Sequence, residues 1–258
     1  MNKLKKLFSK YKIDGYIVPK NDEYFNEYIP AHKDRLKFIS NFSGSAGFAI
    51  LFKNKNYLFV DGRYTTQARI QSGKKFKIET IPKKFPKSVL KTNKKIIIGF
   101  DPKLHTEQQL NYLFKIKNVE LKSLEKNLVD LVWSKKQNTI TQSYYSMPKN
   151  MVGDKAEKKI LKVRKLLNKN KIDLLLVTAP ENVAWILNIR GFDSFYSPIP
   201  NTRLVISKSG EVFLFADLKK TRKLNKFLKN KVKILDEMDI NNFFLKLSNK
   251  KIWLDKQS

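Results

Sequence analysis

Few side chains in this sequence are able to do chemistry, and the most promising of them is an arginine. The chain contains no cysteine and two histidines, His32 and His105. A thiol nucleophile, a cysteine-ligated metal site and a multi-histidine metal site are therefore excluded. Arg63 stands in the run Asp61-Gly62-Arg63-Tyr64, directly after an apolar stretch. A guanidinium held on a tight turn can bind a carboxylate or a carbonyl group.

A predicted β-hairpin positions Arg63. Residues 48–52 and 57–60 are short apolar runs of strand-forming residues, and the four polar residues between them favour a turn. Asp61 tolerates tight turns and Gly62 accepts a positive φ, so we expect the chain to bend sharply where Arg63 leaves the edge of the sheet. The alternative interpretation is that Arg63 forms an ordinary salt bridge at the surface.

The small residues Gly44-Ser45-Ala46-Gly47 raise two catalytic alternatives. A phosphate-binding loop would need a following lysine, and a G-x-S-x-G nucleophile elbow would need glycine where Ser43 stands. Neither pattern fits, so we interpret these residues as small side chains that let a strand pack closely. Asp61 is interpreted as a turn cap, because the chain repeats it at Asp217. Both histidines are interpreted as surface residues.

Length and composition favour two domains of ordinary size. The chain has 258 residues, of which 41% are hydrophobic and 12% aromatic, enough for two cores. No apolar run approaches the roughly 18 residues of a membrane span, and the N-terminus lacks the apolar core of a signal peptide. The absence of cysteine fits a reducing compartment. Together these features predict a cytoplasmic protein with no membrane partner.

The formal net charge of +30 raises the alternative of a free-standing binding module for nucleic acid or an acidic partner. Only seven of the 53 basic residues are arginine, however, and the lysines are spread along the whole chain. Base stacking would require a basic motif interleaved with aromatic residues, and the sequence has none. We therefore interpret the charge as a solvated surface and expect no nucleic-acid partner.

An internal repeat organises the chain. Residues 5–14 and 164–173 share six of ten residues, and an apolar strand follows each copy. Further matches occur in the same order: Asn41 and Gly44 with Asn188 and Gly191, residues 57–61 with 213–217, and residues 93–96 with 249–252. The pattern predicts two copies of one α/β unit of roughly 130 residues.

The repeat sets the predicted domain limits. We expect a first domain over residues 1–134, a polar linker over 135–153 and a second, related domain over 154–258. In the second copy Leu218-Lys219 replaces Gly62-Arg63, so any role of Arg63 belongs to the first domain alone.

The second copy also ends early. After Asp101 the first copy continues through a helix and a further strand, whereas the second stops at Ser258. An interrupted sheet would expose an unpaired strand edge and apolar surface. We therefore expect the second domain to be incomplete and the natural protein to continue beyond Ser258.

Short motifs that span nearly the whole chain carry a family resemblance. They are Glu27-Tyr28-Ile29, Arg35, Phe38-Ile39-Ser40, Gly44-Ser45-Ala46-Gly47, Asp61-Gly62-Arg63-Tyr64, Gln67-Ala68, Asn127-Leu128-Val129-Asp130 with Trp133, Ala184-Trp185 with Asn188, and Arg190-Gly191. In these motifs the chain resembles the N-terminal part of Xaa-Pro aminopeptidases of the aminopeptidase P group, within the creatinase and prolidase superfamily. The three-domain cytosolic form is the most similar.

The resemblance implies two creatinase N-terminal-like domains, each a mixed sheet flanked by helices. In that family a metallopeptidase domain follows them and hydrolyses the bond between an N-terminal residue and a following proline. Its two metal ions, usually manganese, are held by carboxylates and a histidine. That domain would follow Ser258, so the resemblance assigns no catalytic residue and no metal ligand to this chain, and it predicts that the 258 residues alone are inactive.

The resemblance assigns one site residue here, Arg63, as a contact to substrate. It also implies peptides with proline in the second position as partners, a homodimer for the full-length protein and a cytoplasmic location. A prolidase is the neighbouring alternative within the superfamily. Two copies of the repeat favour the three-domain aminopeptidase over it.

Overall fold

The computed structural model describes residues 1–134, 142–194, 196–224 and 226–255. The chain divides into two compact units, Met1–Asn138 and Thr139–Ser258. Residues 135–141 of the predicted linker lie outside the described residues, and a later part of that linker forms a short strand within the second unit. The limits 1–134 and 154–258 therefore stay a prediction.

A mixed sheet forms the centre of the first unit. Within residues 1–134 its six strands are β1 (Gly15–Pro19), β2 (Gly47–Phe52), β3 (Asn56–Asp61), β4 (Lys77–Ile81), β5 (Ile96–Phe100) and β6 (Val119–Ser123). Their order across the sheet is β4-β3-β2-β1-β5-β6. β2 runs antiparallel to β1 and β3, and the other neighbours are parallel. The predicted hairpin is confirmed as β2 and β3.

Helices cover both faces of this sheet. They are α1 (Asn2–Tyr11), α2 (Arg35–Ser40), α3 (Thr65–Ser72), α4 (Pro86–Val89) and α5 (Glu107–Phe114). Successive strand residues point to opposite faces, so Tyr16 and Val18 enter one core and Ile17 enters the other. Leu4 and Phe8 of α1 are buried against the first of these cores, as the helical spacing predicts.

The second unit is also built around a mixed sheet. Its strands are β7 (Tyr145–Ser146), β8 (Leu174–Val177), β9 (Ile189–Arg190), β10 (Arg203–Ser207), β11 (Val212–Ala216), β12 (Lys233–Asp236) and β13 (Ile252–Trp253). Its helices are α6 (Ala156–Lys169), α7 (Pro180–Leu187), α8 (Lys226–Lys231) and α9 (Ile240–Leu245). The main sheet has the order β12-β11-β10-β8-β13, and β7 pairs with β9.

The two main sheets confirm the internal repeat. β8, β10, β11, β12 and β13 occupy the places of β1, β2, β3, β4 and β5, with the same strand directions. Within the described residues up to 255, the second sheet has no counterpart of β6. The predicted α/β fold, two related mixed sheets flanked by helices, is confirmed.

One match within the repeat is displaced by two residues. Asp14 accepts a hydrogen bond from the backbone N–H of Ile97 at 2.7 Å, and Asp173 accepts one from Lys251 at 2.8 Å. Ile97 therefore corresponds to Lys251, and the match of residues 93–96 with 249–252 is wrong. The hydrogen bonds accepted by Asp14 and Asp173 fix how β5 and β13 correspond, whereas the sequence match relied on lysines that come before both strands. Because side chains alternate between the two faces of a strand, a shift of two residues leaves each side chain on the same face of the sheet.

Candidate functional site

Arg63 lies in a short 3-10 turn, Gly62–Tyr64, that directly follows β3. Oδ1 of Asp61 accepts hydrogen bonds from the backbone N–H of Arg63 at 2.9 Å and from its Nε at 2.8 Å. Asp217 caps the corresponding turn in the second unit, accepting a bond from the Lys219 N–H at 3.0 Å. The interpretation of both aspartates as turn caps is confirmed. The same carboxylate therefore fixes the backbone of the turn and orients the Arg63 side chain.

Two details of the predicted turn are wrong. β3 lies between β2 and β4, so Arg63 leaves the carboxyl end of an interior strand and not the edge of the sheet. Gly62 does not have a positive φ, because the 3-10 conformation requires none. A Cβ at Gly62 would meet only the Cγ2 atom of Thr80, at 3.9 Å. The capping carboxylate of Asp61, and not the glycine, makes the chain bend.

The guanidinium of Arg63 is exposed and only partly used within the chain. Its side chain is 74% exposed, and the Nε atom is bound to Asp61. Among the described residues, Nη1 and Nη2 have no hydrogen-bond partner. The hydrogen bond between the two side chains lowers the pKa of the Asp61 carboxyl and raises the pKa of the guanidinium, so both groups stay charged. Nη1 and Nη2 of Arg63 thus remain as charged donors that face outward, while the bond to Asp61 holds the side chain on the turn.

Tyr64 supports the turn from the side. Its hydroxyl lies 2.8 Å from Ser45 Oγ, and its ring packs edge-on against Phe42 at a centroid distance of 5.9 Å. The Arg63 guanidinium carbon lies 5.6 Å from the centre of the Tyr64 ring, within the range of a cation–π contact. Because Phe42 is fully buried, these contacts connect the exposed arginine to the core of the first unit.

The loop before β2 packs closely against this turn. A Cβ at Gly44 would lie 2.2 Å from the Phe42 ring, and a Cβ at Gly47 would lie 2.7 Å from the backbone oxygen of Phe59. The interpretation of Gly44-Ser45-Ala46-Gly47 as small residues that permit close packing is confirmed. Ser43 Oγ accepts hydrogen bonds from two glutamines of α3, Gln67 at 2.8 Å and Gln71 at 2.9 Å.

A buried ion network, which residue-by-residue analysis missed, lies elsewhere in the first unit. Arg35 is 4% exposed and donates from Nε and Nη2 to the two carboxylate oxygens of Asp130, at 2.8 and 2.7 Å. Its Nη2 also binds Glu23 at 2.7 Å, and Lys33 binds the same glutamate at 3.0 Å. Burial would raise the pKa of Glu23, but Arg35 and Lys33 more than offset it and lower that pKa to about 2.

The neighbouring motif residue Asn127 joins this region to the end of β5. Its amide donates to Asp101 Oδ2 at 2.9 Å, and its Oδ1 accepts from the backbone N–H of Val129 at 2.9 Å. The backbone N–H of Leu128 donates to the Tyr16 hydroxyl at 3.3 Å. The motif Asn127–Asp130 is therefore a structural clamp. Only a resemblance pointed to it, because its partners are 26 to 112 positions away in the sequence.

Trp133 packs against a core, whereas Trp185 and Trp253 are exposed. Trp133 packs against the core of the first unit, where its ring stacks on Phe38 at 4.6 Å. Trp185 is 61% exposed, and Trp253 is 40% exposed. In the second unit Arg190 donates to the carbonyl of Ile189 at 2.8 Å, which is a local backbone contact.

The residues that the structure describes offer no ligand set for the metals that the resemblance implies. Among them, no three histidine, cysteine, aspartate or glutamate side chains come together as metal ligands would. The metal-binding chemistry does not fit the residues present, and no metal ligand is assigned to them. Within the same described ranges, no helix has both the length and the apolar character needed to cross a membrane.

His105 is partly buried, although a surface position was predicted, and it gives the first unit a pH dependence. Its Nε2 is buried without a hydrogen-bond partner, and its ring packs edge-on against Phe100. Burial lowers its pKa to about 4, from about 6.5 in an unfolded chain. The folded state therefore binds fewer protons than the unfolded state between these pH values. Its stability falls as the pH drops from about 6.5 towards 4.

We expect this histidine to account for a loss of about 3 kcal/mol in the free energy of unfolding between pH 7 and pH 4. In the variant His105→Leu that part of the pH dependence disappears, because the side chain no longer titrates. Urea unfolding at half-unit pH steps measures the effect. Parallel pH profiles of the variant and the unmodified chain would contradict the assignment.

Known protein families match both units. A protein-family model described as the creatinase/prolidase N-terminal domain matches residues 1–131. A second family model with the same description matches residues 135–258. The chain is similar to a probable Xaa-Pro aminopeptidase P of Coprinopsis cinerea, with 34% identity over 84% of this chain and 36% of the relative. A probable Xaa-Pro aminopeptidase P of Paracoccidioides lutzii is also 34% identical, over 90% of this chain and 39% of the relative.

A solved structure agrees with the sequence relatives. The X-prolyl aminopeptidase of Caenorhabditis elegans, described as a cytosolic enzyme with a di-nuclear active site, matches with a TM-score of 0.86 and 27% identity. The match covers 94% of this chain and 43% of that protein. The chain thus spans between about a third and under half of the length of these relatives. With both units matched by its domain models, this chain belongs to the creatinase/prolidase N-terminal domain family.

Proposed function

We propose that the chain forms the first two domains of a metal-dependent Xaa-Pro aminopeptidase and that Arg63 contacts the peptide substrate. The observation that carries the proposal is the outward-facing pair of guanidinium nitrogens on the Asp61-capped turn. The similarity to the fungal and nematode aminopeptidases supports it. The reaction is hydrolysis of the bond between an N-terminal residue and a following proline.

The contribution of this chain would be to bind and orient the peptide. Nη1 and Nη2 of Arg63 can donate two parallel hydrogen bonds to a carboxylate or a backbone carbonyl of the substrate. Because the Nε atom is already bound to Asp61, the guanidinium plane is oriented before substrate arrives, which lowers the entropic cost of binding. Tyr64 and Ser45 hold the turn on the sheet.

The remaining chemistry belongs to a part of the protein outside these 258 residues. We propose two metal ions, with manganese as the metal, bound by a further domain, and we propose that this chain alone is inactive. A homodimer and a cytoplasmic location complete the proposal. The nematode relative is described as cytosolic and di-nuclear, and neither it nor the two fungal relatives is described as a nucleic-acid-binding protein.

The experiment compares two substrates on the protein expressed from the complete gene. We expect release of the N-terminal residue from a peptide such as Ala-Pro-Ala, with no comparable release from Ala-Ala-Ala. The 258-residue chain should release neither. Equal cleavage of both peptides would contradict the proposed specificity. No cleavage of the proline peptide, with any divalent metal added, would contradict the proposed reaction.

A further inference from the structure

An apolar groove of about 280 Å³ lies in the second unit between β8, α6 and α7. Trp185 of α7 forms part of its wall and is 61% exposed. One face of this ring carries Lys159, whose Nζ lies 4.3 Å from the ring centre. A large exposed aromatic side chain beside an apolar groove is typical of a binding surface. Six residues that line the groove are Val163, Leu175, Val177, Asn182, Trp185 and Asp255.

The repeat gives each of these six residues a counterpart in the first unit. The helices α2 and α7 can be aligned because both end at a left-handed asparagine, Asn41 and Asn188. The strands β5 and β13 can be aligned by the hydrogen bonds that Asp14 and Asp173 accept from Ile97 and Lys251. The counterparts, in the same order, are Leu4, Tyr16, Val18, Arg35, Phe38 and Asp101.

In the first unit, this surface is covered by residues 124–133. Leu128 and Val129 are fully buried in the same core as Leu4 and Val18. The other four counterparts also contact residues 124–133. The Tyr16 hydroxyl accepts a hydrogen bond from the Leu128 N–H, and Asp101 accepts one from Asn127. Arg35 donates to Asp130, and the Phe38 ring stacks on Trp133. All six counterparts therefore lie in the surface or core that this one segment covers.

We propose that the groove of the second unit binds a polypeptide segment equivalent to residues 124–133, supplied by this polypeptide C-terminal to Ser258. This source rests on the proposed function, in which the 258 residues belong to a longer protein. Asp255 lines the groove, and its counterpart Asp101 binds Asn127 of the covering segment in the first unit. There the covering segment comes from the same chain and follows Asp101 in the sequence.

The differences between the two surfaces define the chemistry of the segment. Asn182 replaces Arg35, so the segment needs a neutral hydrogen-bonding side chain where Asp130 stands in the first unit. Leu175 replaces Tyr16 and removes a hydroxyl, which leaves apolar contact as the main source of affinity. Trp185 replaces Phe38 and presents an aromatic ring for stacking. The occupant is an apolar turn with an aromatic residue near its end.

The experiment measures the solvent exposure of Trp185 by hydroxyl-radical footprinting. It compares the 258-residue chain with the protein expressed from the complete gene. We expect oxidation of Trp185 to be at least about five-fold slower in the longer protein. Tyr112, which is 72% exposed in the first unit, serves as the internal control. Trp185→Ala should lower the Tm of the longer protein clearly more than that of the 258-residue chain, where the loss is limited to contacts such as the one with Lys159.

A matched control variant is Leu245→Ala. Leu245 is 82% exposed on α9, whose aromatic residues pack on the opposite face of the same sheet. It should leave Trp185 protection and the Tm unchanged in both proteins. Equal oxidation of Trp185 in the two proteins would overturn the proposal. Protection that appears in the 258-residue chain and grows with its concentration would overturn it too, by making a second copy the occupant.

The same samples separate this proposal from the proposed function. An active Xaa-Pro aminopeptidase with an exposed Trp185 would contradict the groove proposal alone. A longer protein that protects Trp185 but releases nothing from proline peptides would contradict the proposed function alone.

Discussion

The variant Arg35→Met is expected to lower the free energy of unfolding of the first unit by about 3–5 kcal/mol. Arg35 is 4% exposed and forms three hydrogen bonds to the carboxylates of Asp130 and Glu23. Methionine has a similar volume but offers no donor, so both carboxylates lose their main partner. The Glu23 side chain is 18% exposed and would keep much of its desolvation cost without compensation.

Urea unfolding of the 258-residue chain measures this effect. Arg69→Met is the matched control, because Arg69 is exposed on α3, and it should change stability by less than about 0.5 kcal/mol. The stabilisation from Glu23 is present above its unfolded pKa of about 4.5 and is lost as the pH falls towards 2. Arg35→Met should therefore flatten this part of the pH profile. Equal stability of the two variants would contradict the role assigned to Arg35.

The variant Gly47→Ala is expected to cost about 2–3 kcal/mol of stability. A Cβ at this position would lie 2.7 Å from the backbone oxygen of Phe59 in the neighbouring strand, and φ is 156°. Neither β2 nor β3 can move easily, because both lie inside the sheet with partners on each side. We therefore expect the clash to separate the hairpin locally and to disturb the turn that carries Arg63.

Gly62→Ala provides the matched comparison in the same hairpin. Its Cβ would approach only Thr80 Cγ2, at 3.9 Å, and the backbone does not need glycine there. We expect a change within about 0.5 kcal/mol, with a small gain favoured because alanine restricts the unfolded chain. Thermal unfolding of the two variants distinguishes them. If Gly62→Ala proved the more damaging, the bend could not be assigned to the Asp61 carboxylate alone.

Local patterns predicted much of the fold. The strand runs at residues 48–52 and 57–60 and the polar turn between them depend on neighbours in the sequence, and the hairpin that they predict is confirmed. The repeat added the topology of the second unit, since two similar sequences adopt similar folds. Asp61 and its copy Asp217 were correctly interpreted as turn caps for the same reason.

Long-range contacts could not be predicted in this way. Arg35 and Asp130 are 95 positions apart, and nothing local in the sequence connects them. A signal was nevertheless present: arginine is rare in this lysine-rich chain, and buried bidentate contacts require its planar guanidinium. The exposure of Trp185 likewise has no local signal in the sequence, because exposure depends on which segment covers a surface.

The most direct test of the central claim, that Arg63 contacts substrate, is kcat/KM for a proline peptide in the longer protein carrying Arg63→Ala. A charged hydrogen bond to substrate is worth about 1.5–3 kcal/mol, so we expect at least a tenfold loss. Lys219→Ala, the exposed counterpart in the second unit, should leave kcat/KM unchanged, and metal content should be equal in all three proteins. Full activity of Arg63→Ala would contradict the claim.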